Sequence, residues 1–505
     1  MIENTTPKKL NNYNGYENKW SSIRQPYIFE FTRKDGTYNS FSTTGSGKLQ
    51  LDSVTLNGYT PVVGETLTIV DDLTKRKVVA TVVATPAGSI ETDIDPPIFL
   101  ITSGYFNWQR RENYKIILNI SAYVPAVSFG GEIIQLGDCI GTPNGIGVTK
   151  IDIRQLLTYG CEKINKYSFD FGLLTSAKDW SGWIQFEVVV NDNYIFEGVE
   201  SYTTRDEYVG KFWGIDGVKQ LLSVYGQNYS DYVATSYYPS KFLTCFKRPV
   251  FFTGYPFALS LILPEEYAAS YPILFVEEVY SNGGTSLQPS YFLNDTAPSV
   301  TLIALPTIAT AGIDSMNVWI QPESRPVPSV VSTPFNYFID NPEATYTNDV
   351  YQYAITEVKN VVIDNNCKNY PVYLMWKNSL GGWDFWLFDK VNETNISARQ
   401  GDTFEQYIED VEIANSREKI IQASGVKTLT VGDVVDVEFI QGLSEIERSP
   451  AVYILYNPSK LSGANPERAW LGVQLSPKGF KYRSNAQRAN VEITIVFPDY
   501  YTGEN

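Results

Sequence analysis

The amino-acid sequence predicts a mainly β protein, with several β-sandwich or β-barrel domains in series and a few short helices. Its 505 residues are enough for about three or four domains of ~100–200 residues each. Hydrophobic residues make up 43% of the chain, so sizeable cores can be buried. Aromatic residues reach 14%, and they occur with abundant Val, Ile, Thr, Gly and Asn. Residues of these types fit pleated strands and the turns between them.

The N-terminal region is predicted to contain an arm and a small β domain. Residues 1–23 are polar and rich in Asn and Lys, and we interpret them as a flexible or partner-bound arm. Residues 24–104 are predicted to form a small β domain with two hairpins. The first is expected to turn at Asp35-Gly36, a type I′ turn pair between two alternating runs. The second is expected to turn near Asp72 to Lys75.

Residues 105–257 are predicted to form a β-sandwich domain with short helices. The run Tyr114 to Val124 is strand-like, and the segment "KIDIRQLLTYG" then changes to helical spacing. Asp152 is the predicted N-cap of this helix, and Gly160 is the predicted residue at which it stops.

Two further β domains are predicted in the C-terminal half. Residues 258–395 contain strands interrupted by Pro and Gly, which is typical of a β-sandwich. Residues 396–505 are predicted to form a small β domain from four strand-like runs, "TLTVGDVVDVEFI", "PAVYILYN", "AWLGVQLSPKGFKY" and "ANVEITIVFPDYY".

The reactive and charged residues exclude several classes of function. Histidine is absent, which removes Ser–His and Cys–His nucleophilic pairs and the commonest metal ligand. Carboxylate, lysine or tyrosine chemistry remains open. A glycosidase would need two nearby carboxylates in an aromatic cleft, and no pair is singled out. The net charge of −16 disfavours specific nucleic-acid binding, which needs clustered Lys and Arg. No apolar run is long enough for a membrane span.

We predict neither a cofactor nor a metal. The four cysteines form no C-x-x-C pair, so buried free thiols are expected at Cys139, Cys161, Cys245 and Cys367. Glu91, Asp93 and Asp95 alternate along one strand face and could hold Ca²⁺. They lack the glycine and the distal glutamate of an EF-hand loop, so we interpret them as a solvated edge.

The stretch "YLMWKNSLGGWDFWLFD" at 373–389 is the most unusual in the chain. Two apolar runs flank a polar, glycine-bearing turn from Lys377 to Gly382, which predicts a hairpin. Both faces of both strands are largely apolar, whereas a half-exposed hairpin would have one polar face. The hairpin is therefore expected to be covered on both sides, by its own sandwich core and by another domain or subunit.

Three interpretations of this hairpin stay open. It can lie in the core of one domain, it can be covered by a partner, or it can be a sugar-binding platform with Asp384 as its only obvious polar anchor. The candidate core or interface residues are Trp376, Gly381, Gly382, Trp383, Asp384, Phe385 and Trp386.

The segment "YPVYLMWKNSLGGWDFWLFD" resembles a signature of virion structural proteins from tailed phages of Bacteroidota, including crAss-like phages. In that signature a strand ending in Trp-x-Asn-x-x-Gly-Gly leads into an aromatic strand with an Asp. The segments "YKIILNISAYV", "VTKIDIRQLL" and "YSFDFG" resemble a β-sandwich unit of the same proteins. The region from "SPAVYILYN" to "VEITIVF" resembles their C-terminal β module, so the likeness covers about half of the chain.

The resemblance implies a non-enzymatic, structural role in the virion. Such proteins are assembled in the host cytoplasm and form symmetric rings in the neck or tail below the portal. The implied partners are further copies of the chain and the neighbouring portal, ring or tail proteins. An acidic channel would let DNA pass without binding to it. The alternative is a carbohydrate- or receptor-binding tail protein, which needs Trp or Tyr on an open face beside Asp, Asn or Gln.

Overall fold

A computed structural model shows the mainly β fold that the composition predicts, with several sheets along the chain and a few short helices. It describes residues 2–5, 20–24, 27–56, 61–109, 111–124, 132–164, 176–178, 182–196, 199–202, 207–217, 230–233, 239–264, 272–292, 299–305, 312–321, 354–365, 370–400, 403–405, 418–420, 423–461, 466–476, 487–498 and 500–502. In this part of the chain the helices are α1 (Arg154–Ile164), α2 (Val437–Ser444) and short 3-10 turns at Ser230–Tyr232, Glu445–Arg448, Pro458–Lys460 and Pro466–Ala469. None of them is long and apolar enough to cross a membrane.

The strands follow one another along the whole described sequence. In chain order they are β1 (Ile2–Thr5), β2 (Trp20–Ser22), β3 (Ile28–Arg33), β4 (Gly36–Tyr38), β5 (Ser40–Thr43), β6 (Leu49–Asp52), β7 (Thr55–Leu56), β8 (Thr66–Asp71), β9 (Lys77–Ala84), β10 (Ser89–Thr92), β11 (Gly104–Trp108), β12 (Arg111–Val124), β13 (Glu132–Gly141), β14 (Val148–Asp152), β15 (Ser176–Lys178), β16 (Trp183–Phe196), β17 (Val199–Tyr202), β18 (Glu207–Ile215), β19 (Val250–Phe252), β20 (Ala258–Leu263), β21 (Ile273–Tyr280), β22 (Thr285–Phe292), β23 (Ser299–Ala304), β24 (Ile313–Gln321), β25 (Lys359–Asp364), β26 (Val372–Lys377), β27 (Trp383–Phe388), β28 (Lys390–Gln400), β29 (Thr403–Glu405), β30 (Glu418–Ile420), β31 (Ala423–Asp436), β32 (Val452–Leu455), β33 (Trp470–Ser476), β34 (Arg488–Val496) and β35 (Tyr500–Thr502).

The chain divides into two compact units that interleave in sequence. The first unit contains residues 1–166, 184–216 and 221–229, and the second contains 167–183, 217–220 and 230–505. Strand pairing joins residues on either side of two boundaries that the sequence suggested, those at 104 and 395. β3 pairs with β14, and β26 pairs with β32.

The described residues of the first unit form three sheets. Their strand orders are β1-β3-β14, β5-β6-β10-β9-β8-β11-β4-β7 and β13-β12-β16-β18-β2, and β17 pairs with β16. Both described parts of the predicted N-terminal arm form strands here, because β1 lies antiparallel to β3 and β2 lies parallel to β18. Residues 6–19 of the arm lie outside the described residues.

The hairpin predicted at Asp72 to Lys75 is confirmed, because β8 and β9 pair from Val70↔Lys77 onward. The hairpin predicted at Asp35-Gly36 is wrong: β3 pairs with β1 and β14, whereas β4 pairs with β11 and β7. Asp35 is fully buried and its Oδ2 accepts bonds from Arg33 and from the Trp108 N–H, at 2.6 and 2.8 Å. The long-range bond to Trp108 ties residues 33–36 to β11, so they form a crossover between two sheets instead of a tight turn.

Helix α1 begins one residue later than the predicted N-cap Asp152 implies, since the Ile153 carbonyl accepts its first bond, and it does not stop at Gly160. The Asp152 Oδ1 accepts a bond from the Arg154 N–H at 3.0 Å, which satisfies one of the free donors of the first turn. The helix continues to Ile164. A Cβ at Gly160 would lie 2.7 Å from Ile184 Cδ1 and 2.8 Å from Leu136 Cδ1, so this glycine permits close packing and does not end the helix.

The second unit contains the remaining sheets. Their strand orders are β15-β23-β20, β19-β25-β24-β21-β22 and β27-β26-β32-β33-β34-β31-β28, with β35 beside β31 and β29 paired with β30. The four strand-like runs predicted in the C-terminal region contribute β31, β32, β33 and β34. The end of the first run is an exception, because Val437–Ser444 is the helix α2. It packs Ile440 and Leu443 into the core of this unit.

Each unit has its own hydrophobic core. In the first unit, one cluster surrounds Phe29, Phe186 and Phe212, and another surrounds Leu67 and Phe106 between the strands of the N-terminal eight-stranded sheet. In the second unit one large cluster runs through the sheets and includes both strands of the aromatic hairpin. The hairpin is therefore part of a core.

Candidate functional site: the aromatic hairpin

Residues 372–388 form the predicted hairpin, which lies at one end of the C-terminal sheet. Strands β26 and β27 pair from Val372↔Phe388 to Lys377↔Trp383. β26 also pairs with β32, and β27 is the last strand in the described order of this sheet. The register places Trp376, Asp384 and Trp386 on one face, called face A here. It places Tyr373, Trp383 and Phe385 on the opposite face B.

Asn378 organises the turn between the two strands. Its backbone N–H donates to the Gly382 carbonyl at 2.9 Å, and its own carbonyl accepts from the Gly381 N–H at 3.0 Å. The side-chain Oδ1 accepts from the N–H groups of Leu380 and Gly382, both at 3.0 Å. This pattern is an Asx-type turn, in which a side chain replaces a backbone acceptor.

The two glycines of the turn have different physical roles. Gly381 has a φ of +85°, a left-handed conformation that side chains with a Cβ disfavour. At Gly382 a Cβ would lie 2.1 Å from the Leu243 carbonyl oxygen and 2.9 Å from Ser260 Cβ. Gly382 is therefore required because another backbone segment passes directly against the turn.

Asp384 accepts hydrogen bonds from that same segment. The Thr244 hydroxyl donates to Oδ1 at 2.6 Å, and the Cys245 N–H donates to Oδ2 at 3.1 Å. The Asn378 Nδ2 donates to Oδ2 at 2.9 Å and also to the Leu243 carbonyl at 2.9 Å. The carboxyl group thereby connects the second strand of the hairpin to the turn and to residues 243–245.

The pKa of Asp384 is raised to about 6, because burial disfavours the charged form more than its hydrogen bonds favour it. Burial, with a further contribution from the Asp384 carboxylate, also raises the pKa of the Cys245 thiol. A thiol with a raised pKa is a poor nucleophile near neutral pH. These two adjacent groups are therefore not poised for nucleophilic catalysis.

Face A is covered by aromatic side chains of the same unit. Trp386 stacks on Phe246 with ring centroids 5.8 Å apart, and Trp376 meets Phe246 edge to face at 6.0 Å. Trp386 also contacts Phe252 and Phe439, and its Nε1 donates to Asp433 Oδ2 at 3.0 Å. Such ring pairs add to the free energy of burial.

Face B is covered by a second set of aromatic side chains. Phe385 contacts Phe257 at 5.5 Å, and Trp383 contacts Tyr453 at 5.9 Å. Tyr373 contacts Trp470 at 6.0 Å. Phe257 precedes the hairpin in the chain, whereas Tyr453 and Trp470 follow it, so both neighbouring parts of the unit contribute to the cover.

Every sequence-predicted residue of the hairpin is thus brought together and buried within its own chain. The exposed fractions of Trp376, Trp383, Phe385 and Trp386 lie between 0 and 4%, that of Asp384 is 3%, and both glycines are buried. The cover that we expected from a second domain or subunit comes from the second unit itself. A sugar ring has no open aromatic face to stack on here.

The partners of Asp384 were not found by sequence reasoning. Thr244 and Cys245 lie more than 110 residues before the hairpin, and nothing in "FLTCF" distinguishes it from an ordinary strand or loop. Asn378 belonged to the recognised signature, but its capping role becomes visible only in three dimensions. The described residues contain no group of three or more Cys, Asp or Glu side chains placed to hold a metal ion. In particular, Asp93 bonds to Thr81 and Asp95 pairs with Lys48.

No protein-family model matches the chain, and no curated protein is significantly similar to it in sequence.

Proposed function

We propose that the chain is a structural component of a tailed-phage virion, where it forms an oligomeric ring in the neck or tail below the portal. The proposal rests on the hydrogen bonds that the residues of the hairpin signature make. Asn378 and Asp384, its polar residues, bond only to groups inside the second unit that hold the turn in place. A motif used in this way serves to build a rigid scaffold, which is what a ring subunit requires.

A structural role also agrees with the chemistry that the hairpin offers. Asp384 is closed to solvent, with an exposed fraction of 3%, and burial raises the pKa of the neighbouring Cys245 thiol. The sequence has no histidine to activate either group. An enzyme would need a reactive group that a substrate can reach, so the hairpin supports the non-enzymatic assignment.

Contacts between subunits must use other surfaces, because the hairpin aromatics are already buried. The net charge of −16 fits a ring through which DNA passes, since a basic channel would retain the phosphate backbone. The alternative, a carbohydrate- or receptor-binding tail protein, required open aromatics in the hairpin. Their burial leaves this alternative without a specific supporting feature.

The proposal is tested by measuring the molar ratio of this chain to the portal protein in purified virions by quantitative mass spectrometry. We expect a ratio of one or a simple multiple or fraction of one, as for a ring stacked on the portal. The major capsid protein provides an internal control for complete digestion. A much smaller ratio would favour a tail-tip position and the receptor-binding alternative. Absence of the chain from the particle would contradict the virion assignment.

A further inference from the structure

One end of the N-terminal eight-stranded sheet displays three large aliphatic side chains to solvent. The exposed fractions are 67% for Leu73, 101% for Ile98 and 59% for Ile101. We call these three residues the aliphatic tip. Single exposed apolar residues are common on protein surfaces, but neighbouring ones on adjoining loops are typical of contact sites.

Two turns hold the aliphatic tip in a defined shape. Ile98 lies in the turn closed by the bond from the Leu100 N–H to the Pro97 carbonyl at 3.0 Å, and Leu100 anchors this turn in the core. Leu73 lies in the β8–β9 turn, in which Lys75 has a φ of +56°. Neither aliphatic side chain is needed to fill the core beneath it.

The Asp71 carboxylate ties the two turns together. Its Oδ1 accepts from the N–H groups of Leu73 and Thr74 at 3.1 and 2.7 Å. Its Oδ2 accepts from those of Ile101 and Thr102 at 3.0 and 3.1 Å. Leu73 and Ile101 are therefore displayed side by side by one buried group. A contact made through a pre-ordered surface loses less conformational entropy on association.

The charge around the tip is opposite to that of the chain as a whole. Lys75, Arg76 and Lys77 are exposed shortly after Leu73, and Asp72 is the one acidic side chain within this turn with substantial exposure. The exposed Asp95, three residues before Ile98, is paired with Lys48. The whole chain carries a net charge of −16. The tip is thus a basic, apolar projection that is complementary to the predominantly acidic surface of another copy.

We propose that the aliphatic tip docks on an acidic surface of a second copy of this chain, as the anchor of a head-to-tail contact. Two tips cannot face each other across a two-fold axis without bringing their basic residues together, so the contact is between different surfaces. Head-to-tail contacts of this kind close into a ring when the rotation between successive copies divides a full turn. Three side chains supply only part of the ~800 Å² per partner of a stable interface, so the tip is the anchor within a larger contact. This inference rests on the proposed ring function and names the surface that such a ring would use.

The test is sedimentation velocity of the full chain over a concentration series, with wild type, Ile98→Asp and Val63→Asp compared. Val63 is the matched control, because it is an aliphatic residue with 62% exposure at the opposite end of β8. Ile98 is fully exposed, so its substitution leaves the folded core intact, and circular dichroism verifies this. A charge-reversed variant, Lys75→Glu with Arg76→Glu, tests the electrostatic part.

We expect wild type and Val63→Asp to associate equally, and Ile98→Asp to weaken association roughly thirtyfold, as for loss of an interface anchor. The charge-reversed variant should also associate more weakly and lose the salt sensitivity of wild type. Equal association of Ile98→Asp and wild type would overturn the proposal, as would a monomeric wild type at every concentration. Tip-dependent binding of the monomer to phosphatidylglycerol vesicles would assign the tip to a lipid surface and overturn it too. Each of these results leaves the portal ratio in virions, and hence the proposed function, as a separate question.

Discussion

Replacing Asp384 by Asn should change how the stability of the second unit depends on pH. The folded-state pKa of Asp384 is about 6, against a value of ~4 for an unfolded aspartate. A group whose pKa is raised on folding stabilises the fold below the unfolded pKa, and this contribution is lost as the pH rises through the folded pKa. Raising the pKa of Asp384 by about two on folding corresponds to roughly 3 kcal/mol, which is the cost of keeping this buried carboxylate charged at pH 7.

Asparagine can occupy the same site without that cost. Its amide oxygen, placed at the Oδ2 position, accepts from the Cys245 N–H and the Asn378 Nδ2, and its amide group donates to the Thr244 hydroxyl oxygen. The same arrangement places the proton of a neutral Asp384 on Oδ1. Asp384→Asn therefore imitates the protonated form at every pH.

The assay is urea unfolding followed by tryptophan fluorescence from pH 4 to pH 8, for wild type and Asp384→Asn. The free energy of unfolding of Asp384→Asn should gain roughly 2 kcal/mol relative to wild type between pH 4 and pH 7, because half of the unfolded chains are already ionised at pH 4, and it should then stay level. Asp95→Asn, at an exposed carboxylate, controls for the loss of one negative charge. If the difference between wild type and Asp384→Asn does not vary with pH, the reasoning about the buried carboxylate is refuted.

Four further substitutions probe the hairpin turn and the tip. Gly382→Ala forces a Cβ to within 2.1 Å of the Leu243 carbonyl oxygen and should cost at least ~3 kcal/mol, whereas Gly381→Ala should cost about 1 kcal/mol for its left-handed φ; equal melting temperatures for the two variants would contradict this order. Asn378→Ala removes four buried hydrogen bonds and should cost about 4 kcal/mol in urea unfolding at pH 7, so a loss below ~1 kcal/mol would show that the turn forms without them. Burial opposes ionisation of Asp71, but the bonds from backbone N–H groups outweigh it and lower its pKa to about 2. The contribution of Asp71 to the free energy of unfolding is therefore complete above pH ~4 and lost as the pH falls through about 2. Asp71→Ala should speed hydrogen exchange at the four amides that Asp71 binds. Unchanged exchange rates would argue against the link between the two turns.

Local patterns predicted strands better than they predicted strand partners. The turn near Asp72 to Lys75 was predictable, because strand-like apolar runs flank it on both sides and these two strands pair with each other. The equally strong turn signal at Asp35-Gly36 failed because Asp35 bonds to Trp108, a residue more than seventy positions away. Turn propensity depends only on neighbouring residues, so it gives no information about a hydrogen bond to a distant residue that changes the direction of the backbone.

For the hairpin at 372–388 as well, the sequence predicted the burial of its residues but did not predict their partners. Its two apolar faces predicted that both sides must be covered, and the sequence marked every aromatic residue that is buried there. The identity of the cover could not be predicted, because Phe246 and Phe257 lie more than a hundred residues before the hairpin. Asp384 stood out as a lone polar residue among aromatics, but its role depends on Thr244 and Cys245, which no local pattern associates with it.

The two-sided cover of the hairpin also has a consequence for synthesis of the chain. β26 pairs with β32, and Trp470 covers part of face B, so the ribosome must add more than sixty residues after Phe388 before the sheet can close. At ~5–20 residues per second, Trp383 and Tyr373 would lack their contacts with Tyr453 and Trp470 on the nascent chain for several seconds. During that interval they leave apolar surface exposed, and a chain that stops before β32 would expose this surface permanently. Complete translation is thus a condition for solubility, and truncated products are expected to aggregate or be degraded before they can enter an assembling particle.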